Sequence, residues 1–269
     1  MKIISLNTYM GHVFEPLMGF IKKHAQTTDI FCLQEMMSST DENLVHEEGK
    51  RRLNVLQEIS KRLPGFEVVF APVQDDYEID SPYPGQSQLG TAIFYRKTLD
   101  VIETGSFFIY NEFNSFVPPD WETLGHNMAF IVLKVNGKEL VVSTLHGNSQ
   151  PSDKLDSPKR IAQFQKALDF LLGRDELKIL MGDFNALPET ESVKMFEAAG
   201  LKNLITEYNI TTTRGSHMRA LFPEYETGLY GFQEFADYTF VSTEIDVKSF
   251  EVPDEPISDH LPMIMEIDM

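Results

Sequence analysis

Four short apolar runs in this chain each end in a polar residue of catalytic type. Ile3-Ile4-Ser5-Leu6 ends in Asn7, and Ile30-Phe31-Cys32-Leu33-Gln34 ends in Glu35. Val141-Val142-Ser143-Thr144-Leu145 ends in His146, and Ile179-Leu180-Met181-Gly182 ends in Asp183. Taken singly, each has an ordinary reading, because strands commonly finish on polar turn residues and Asn and Asp favour turns. Taken together they supply what a phosphoester site needs: a carboxylate for a hard cation, a carboxylate to handle water, an amide donor and an imidazole.

Two further motifs extend the set. Asp237 stands among aromatics in Phe235-Ala236-Asp237-Tyr238-Thr239-Phe240, where a carboxylate loses hydration unless a donor meets it. Ser258-Asp259-His260-Leu261-Pro262 offers that donor at the edge of the last strand. A buried Asp that holds an imidazole in one tautomer and stabilises its protonated form is a common orienting device.

The elements that must position these residues alternate between apolar β-type runs and stretches of helical period, the order expected of sheets covered by helices. Strands are expected at Lys2–Leu6, Asp29–Gln34, Phe66–Phe70, Thr91–Arg96, Val101–Ile109, Met128–Val135, Glu139–Leu145, Lys178–Met181, Tyr238–Val241, Val247–Val252 and Pro262–Ile267. Asn136-Gly137 marks a hairpin because both residues tolerate positive φ, so the sheets should be mixed. Helices are expected at Phe14–His24, Leu53–Leu63, Pro158–Leu172 and Glu189–Ala199. In the third, Ser157 can cap, Pro158 suits the first position, Gly173 suits the end, and Ile161, Phe164, Leu168, Leu171 and Leu172 make a core face. No repeat of solenoid length occurs, although the two halves share a coarse strand, helix, strand order. The irregular stretches Ala71–Gly90 and Tyr208–Glu234 are candidates for substrate contact. Gly215-Ser216-His217-Met218 looks like a cloning scar but lies mid-chain before site motifs, and is read as native.

In order and spacing, the strand end at Asn7, Leu33-Gln34-Glu35, Thr144-Leu145-His146, Gly182-Asp183-Phe184-Asn185, Asp237-Tyr238 and Ser258-Asp259-His260 resemble the motif series of the endonuclease/exonuclease/phosphatase superfamily. The resemblance runs from residue 7 to residue 260, and also extends to deoxyribonuclease I, abasic-site endonucleases, neutral sphingomyelinases and inositol-phosphate phosphatases. It implies a four-layer α/β sandwich, two packed mixed β-sheets flanked by helices, with the site at one end.

Carried over residue by residue, the resemblance implies that Glu35 is the principal Mg²⁺ ligand, with Asn7 and Asp259 nearby and Mn²⁺ a substitute. Asp183 resembles the residue that orients and deprotonates the attacking water. Asn185 and Asn7 would hydrogen-bond the phosphoryl oxygens, and His146 would lie against the phosphate or the leaving oxygen. Asp237 would fix His260, whose imidazolium would neutralise charge on a phosphorane-like transition state. Two departures stand out. Gly125-His126-Asn127-Met128 occupies the stretch where many members carry an Arg, and the family's mid-chain aromatic or acidic contact has only Tyr83 and Tyr95 as candidates.

Composition bounds the substrate. At 269 residues and 42% hydrophobic, with no linker-like stretch, one domain over residues 1–269 is expected. The net charge of −18 repels polyanions, so a small or single-stranded phosphate ester is favoured and no strong duplex-DNA patch is expected. The basic clusters Lys22-Lys23, Lys50-Arg51-Arg52, Lys61-Arg62 and Lys159-Arg160 have acidic neighbours and read as solvated helix faces. Cys32 alone cannot form an internal disulfide and sits in an apolar run, which suits a reducing compartment. The Lys2–Leu6 stretch is too short for a signal peptide and no run reaches membrane-spanning length, so a cytoplasmic enzyme is expected.

The aromatic stretch Phe107, Phe108, Tyr110, Phe113, Phe116 and Trp121 is read as a buried strand and packed loop, with base stacking or membrane insertion as the functional alternative. Thr211-Thr212-Thr213-Arg214 could meet a distal phosphate, or be a solvated loop with one cation. Three functions follow: a phosphodiesterase or phosphatase acting on a nucleotide, nucleic-acid end, sugar or inositol phosphate; a sphingomyelinase-like phospholipase; and a noncatalytic binding module, against which the intact Glu, Asp and His set speaks. The sequence carries no sign of oligomeric state.

Overall fold

In the computed structural model, which describes residues 1–39, 51–76, 87–217 and 230–269, two six-stranded sheets pack face to face. The first is built around β1 (Lys2–Asn7) and β2 (Ile30–Ser39), which run parallel and are joined by α1 (Phe14–His24). Antiparallel to β2 runs β4 (Ser87–Arg96), with β3 (Phe66–Asp75) at the edge; α2 (Val55–Arg62) precedes β3. The second sheet repeats the scheme. Its parallel centre is β7 (Lys138–His146) and β8 (Leu177–Asp183), joined by α3 (Pro158–Leu172), with β5 (Asp100–Tyr110) and β6 (His126–Val135) beyond β7.

Beyond β8 come α4 (Glu191–Ala198), β9 (Leu201–Asn203), α5 (Leu204–Glu207) and β10 (Asp237–Ser242). The chain then returns to the first sheet as β11 (Asp246–Glu251) and β12 (Met263–Asp268), so the sheet orders are β11-β12-β1-β2-β4-β3 and β5-β6-β7-β8-β10-β9. Each parallel pair leaves the core at one end, which is where strand C-termini in α/β sheets present side chains.

Strand pleating divides the core. Ile3, Ile30, Cys32 and Ile93 face the second sheet and meet Met128, Val142 and Ile179, while Ile4, Leu6, Phe31 and Leu33 face the opposite way with α1 and α2. The helices behave as their caps dictate: the Ser157 hydroxyl accepts the Arg160 amide at α3, and the Thr190 hydroxyl accepts the Val193 amide at α4. The Asn136-Gly137 hairpin forms with both residues at positive φ, pairing Val135 with Lys138.

Several expectations are corrected. Leu172 is 55% exposed, not core, because α3 ends as its apolar face turns past the sheet. Much of Ala71–Gly90 is strand, since β3 reaches Asp75 and β4 starts at Ser87. Arg160 is buried, not solvated; its guanidinium donates to the carbonyls of Leu155, Pro151 (2.9 Å) and Asn148 (3.4 Å) and so staples the loop before α3. The short β9 and α5 were not anticipated, being below the length at which periodicity registers. Lys50, Tyr83 and Met218 lie outside the described residues.

Candidate active site

Glu35 reaches the site through a break in the β2 ladder. Leu33 pairs with Ala92 and Met36 with Gly90, so Gln34 and Glu35 together oppose one residue of β4, a β-bulge. By regular alternation Glu35 would follow Leu33 to the helix-covered face. At the bulge its φ is +51°, a left-handed conformation costing roughly 1–2 kcal/mol for a residue with a Cβ, and its side chain turns to the end of the sandwich. The Thr8 hydroxyl holds the bend, lying 3.0 Å from the carbonyls of both Gln34 and Glu35. Gln34 points between the sheets, where its amide donates to the Thr144 hydroxyl at 2.7 Å and ties β2 to β7 beneath the site.

Asn7 and Asp183 complete the join between the sheets. The Asn7 side-chain amide donates to Glu35 Oε1 and to Asp183 Oδ2, both at 3.0 Å, while its oxygen accepts the Tyr9 backbone amide at 2.9 Å. His146 pairs in register with Asp183 across β7 and β8, and its Nε2 lies 3.6 Å from Asp183 Oδ2 and 3.8 Å from Glu35 Oε1. The close approach of these strands needs glycine at 182: a Cβ there would lie 2.2 Å from the Leu145 carbonyl oxygen, and φ is +148°. Phe184 anchors the turn that follows. It is fully buried, with ring centroids 5.0 Å from Phe164, 5.6 Å from Phe196 and 5.4 Å from Tyr238. Asn185 then turns back at φ +49°. Its backbone amide donates to Asp183 Oδ1 at 2.8 Å, and its side-chain amide donates to the Gly147 carbonyl at 3.0 Å, 3.4 Å from His146 Nε2.

On the far side of Asp183 lies the His260–Asp237 pair. Both are buried, with His260 Nδ1 2.8 Å from Asp237 Oδ2, and His260 Nε2 faces Asp183 Oδ2 at 3.6 Å. Burial, the largest influence, pushes the Asp237 carboxyl upward. Burial and Arg214 push the His260 imidazole down, but Asp237, Asp259 and Asp183 outweigh them and raise it. Both directions favour keeping a proton on the pair. Asp183 goes the other way: burial alone would raise it, but His260, His146, Lys154 and Arg214 bring it to about 2. The Ser258 hydroxyl donates to the Asn7 carbonyl at 2.6 Å, docking the Asp259-His260 turn on β1.

The residues expected at the site therefore do converge there, with one rearrangement. Asp259 is engaged by a cation, Arg214, whose Nη2 lies 2.9 Å from Asp259 Oδ2 and whose Nη1 contacts His260 Nε2. Of the two readings of the Thr211–Arg214 segment, the solvated loop is corrected, for the segment is pinned: buried Thr213 accepts the backbone amides of Ala236 and Asp237 at 3.0 and 3.2 Å, and Leu261 donates to its carbonyl at 2.9 Å.

Lys154 is a second cation that sequence reasoning missed. It lines, with Arg214 and Asn185, a cavity of about 310 Å³. The stretch Gly125-His126-Asn127-Met128 itself carries no Lys or Arg. His126 is buried edge-on to His146 at 5.1 Å, and burial followed by His146 hold its pKa well below the usual histidine value. Asn127 donates to the Ala71 carbonyl at 2.9 Å and serves packing. Tyr95 is a packed strand residue whose hydroxyl donates to Glu67 at 2.9 Å. Of the aromatic stretch, Tyr110 and Phe116 are buried while Phe113 and Trp121 are exposed.

Among the described residues, two groups bring potential ligand atoms within 4.8 Å of one another: Glu35, His146 and Asp183, and Asp183, Asp237 and His260. The first fits a hard divalent cation better. Glu35 Oε2 is buried without a hydrogen-bond partner, and an unpartnered carboxylate oxygen next to a second carboxylate is what such an ion satisfies. In the second group, Asp237 and the facing His260 nitrogen are already engaged with each other.

The sequence pattern described as Endonuclease/Exonuclease/phosphatase family matches residues 4–260. Among solved structures, the mannosyl-6-phosphatase of Bacteroides thetaiotaomicron VPI-5482 is similar at 19% identity and a TM-score of 0.70, covering 100% of each chain. The catalytic domain of human nocturnin with bound sulfate is similar at 16% identity and a TM-score of 0.66, covering 100% of this chain and 93% of that one. A humanized TDP2 of D. rerio is similar at 15% identity and 0.66, covering 100% of this chain and 99% of that one. At these identities the likeness is one of fold. No curated protein matches the chain.

Proposed function

Because the chain belongs to the endonuclease/exonuclease/phosphatase family, we propose that it is a magnesium-dependent phosphoesterase that hydrolyses a phosphomonoester or phosphodiester by in-line attack of water. The observation that carries this reading is Asp183: its carboxylate lies 3.0 Å from the Asn7 amide and 3.6 Å from the imidazole nitrogens of both His146 and His260. An ionised carboxylate among such donors suits a water nucleophile and a phosphoryl group arriving side by side.

Glu35 would hold the ion, with Asn7 and Asp259 alongside. When bound, the ion supplies Lewis-acid stabilisation of the phosphoryl oxygens. Asp183 would orient the attacking water and take its proton. Its Oδ1 is fixed by the Asn185 backbone amide at 2.8 Å, and Oδ2, which accepts the Asn7 amide at 3.0 Å, would face the reacting atoms. Asn7 and Asn185 would donate to phosphoryl oxygens, and His146 would face the phosphate or the leaving oxygen. His260, oriented by Asp237, would in its protonated form offset the charge that grows on the equatorial oxygens, and Arg214 would do the same from beside it.

The net charge of −18 favours small or single-stranded esters over duplex nucleic acid, and likeness to a mannosyl-6-phosphatase adds sugar phosphates to the panel. The buried thiol of Cys32 is consistent with a cytoplasmic setting. A second reading, action at a lipid surface, draws on the exposed side chains of Phe113, Val117 and Trp121. Hydrolysis of nitrophenyl phosphate mono- and diesters tests the main proposal: turnover should require Mg²⁺ or Mn²⁺ and stop with chelator. Turnover persisting in excess chelator would remove the metal role of Glu35. Binding to sphingomyelin vesicles, lost in Trp121→Ser, would favour the lipid reading.

A further inference from the structure

The loop from Asn148 to Ser157 fixes Lys154 from several sides. Its backbone takes φ +57°, its amide donates to the Pro151 carbonyl at 3.1 Å, and the Leu187 amide donates to its own carbonyl at 3.0 Å. The buried Arg160 guanidinium grips three carbonyls of the same loop. This much order places an ammonium group in a buried position, 8% exposed, where among the described residues it makes a single hydrogen bond, a 3.4 Å donation to the Phe235 carbonyl. Among the described residues no carboxylate lies within 4.0 Å of it, although an ammonium has three donors and resists burial unpaired.

Its surroundings suggest what satisfies it. Lys154, Ser149, Ser152 and Gln233 share the cavity of about 310 Å³ with Asn185 and Arg214, so the cavity continues into the reaction centre. That volume is at the small end of pockets for small molecules, roughly 300–1,000 Å³. We propose that Lys154 is the centre of a subsite for a second anionic group on the substrate, a phosphate or carboxylate borne close to the ester that is cleaved. The inference rests on the phosphoesterase reading and narrows it to small, doubly anionic esters. In support, burial and then Arg214 lower the Lys154 pKa to about 8 against the pull of Asp183, Asp237 and Asp259. A bound anion would reverse that balance.

Two substrate pairs provide the test: glucose 6-phosphate against glucose 1,6-bisphosphate, and glycerol 3-phosphate against 3-phosphoglycerate, each with Mg²⁺. Wild type should prefer the doubly anionic member of at least one pair, and the pair identifies phosphate or carboxylate. Lys154→Gln should reduce that preference in kcat/KM by about 10- to 100-fold, the scale of one charge-assisted hydrogen bond. Leu155→Gln, an exposed change in the same loop, should leave the preference intact. No preference in wild type, or a preference unaltered in Lys154→Gln, overturns the subsite. If wild type hydrolyses none of the four, the phosphoesterase reading fails on this panel, and calorimetric titration with glucose 1,6-bisphosphate decides the subsite separately. Tight binding weakened by Lys154→Gln sustains it, and equal or undetectable binding overturns it.

Discussion

Replacing Lys154 by Met should make the ligand-free protein more stable, an unusual direction for a change at a buried residue. Methionine keeps the length of the side chain and removes the charge. Burial, aided by Arg214, brings the amine from the ordinary lysine value of 10.5 to about 8 in the fold. At 1.36 kcal/mol per tenfold change in proton affinity, holding the proton there costs about 3 kcal/mol. The cost is borne in full below pH 8, where the folded chain must keep a charge that the unfolded chain keeps freely. It shrinks as pH rises from 8 toward 10.5 and is about half as large at pH 9.5. The 3.4 Å bond to the Phe235 carbonyl offsets little of this. Urea denaturation in phosphate-free buffer should therefore show Lys154→Met gaining about 2–3 kcal/mol at pH 6.5 and roughly half that at pH 9.5. A variant less stable than wild type at pH 6.5, or a gain that ignores pH, would refute the reasoning. It would mean that Asp183, Asp237 and Asp259 already neutralise the ammonium.

Asp183→Asn preserves shape and removes the ionised carboxylate, so single-substrate assays should show a rate loss of at least about 10²-fold with the fold intact by circular dichroism. Gly182→Ala drives a Cβ to within 2.2 Å of the Leu145 carbonyl and should lower stability by about 3 kcal/mol or prevent folding, measured by thermal melts. Asp156 accepts the Ser192 hydroxyl and the Glu191 and Ser192 amides, the latter two at 2.6 and 3.0 Å, at the start of α4, and against partial desolvation these bonds, the hydroxyl's first, depress its pKa below 3.8. Its contribution is present above pH 3.8 and lost as pH falls through the depressed value. Asp156→Asn should cost about 1 kcal/mol at pH 7, at the low end for a solvated cap, and less in acid, by paired melts at pH 7 and pH 3. Cys32 is wholly buried, and burial raises its thiol pKa, so iodoacetamide should label it only after denaturation. Labelling of the native protein would place it wrongly in the core.

Much of the fold was legible because it is written in short-range pattern. The limits of α1 and α3 follow from apolar spacing with Ser157 and Pro158 at one end, and the β6–β7 hairpin follows from Asn136-Gly137. What escaped was either too short to have a period, as in β9 and α5, or was a departure from period. The bulge at Glu35 leaves no local signal, because it is imposed by how β2 meets β4 and by the Thr8 hydroxyl just past the end of β1.

The same division holds at the site. Which residues could do chemistry was set by the chain itself: polar groups at the ends of apolar runs, in an order that a family shares. Which cations accompany them was decided only in three dimensions. Arg214 lies beside Asp259 because Thr213 is pinned to Ala236, Asp237 and Leu261, and Lys154 lines the cavity because Arg160 folds its loop back. Asp183 closes β8, Asp237 opens β10 and Glu35 follows the apolar run of β2, so the candidate carboxylates border apolar runs and periodicity points to them. Loop cations owe their place to hydrogen bonds with distant backbone, and only chain folding brings those partners together.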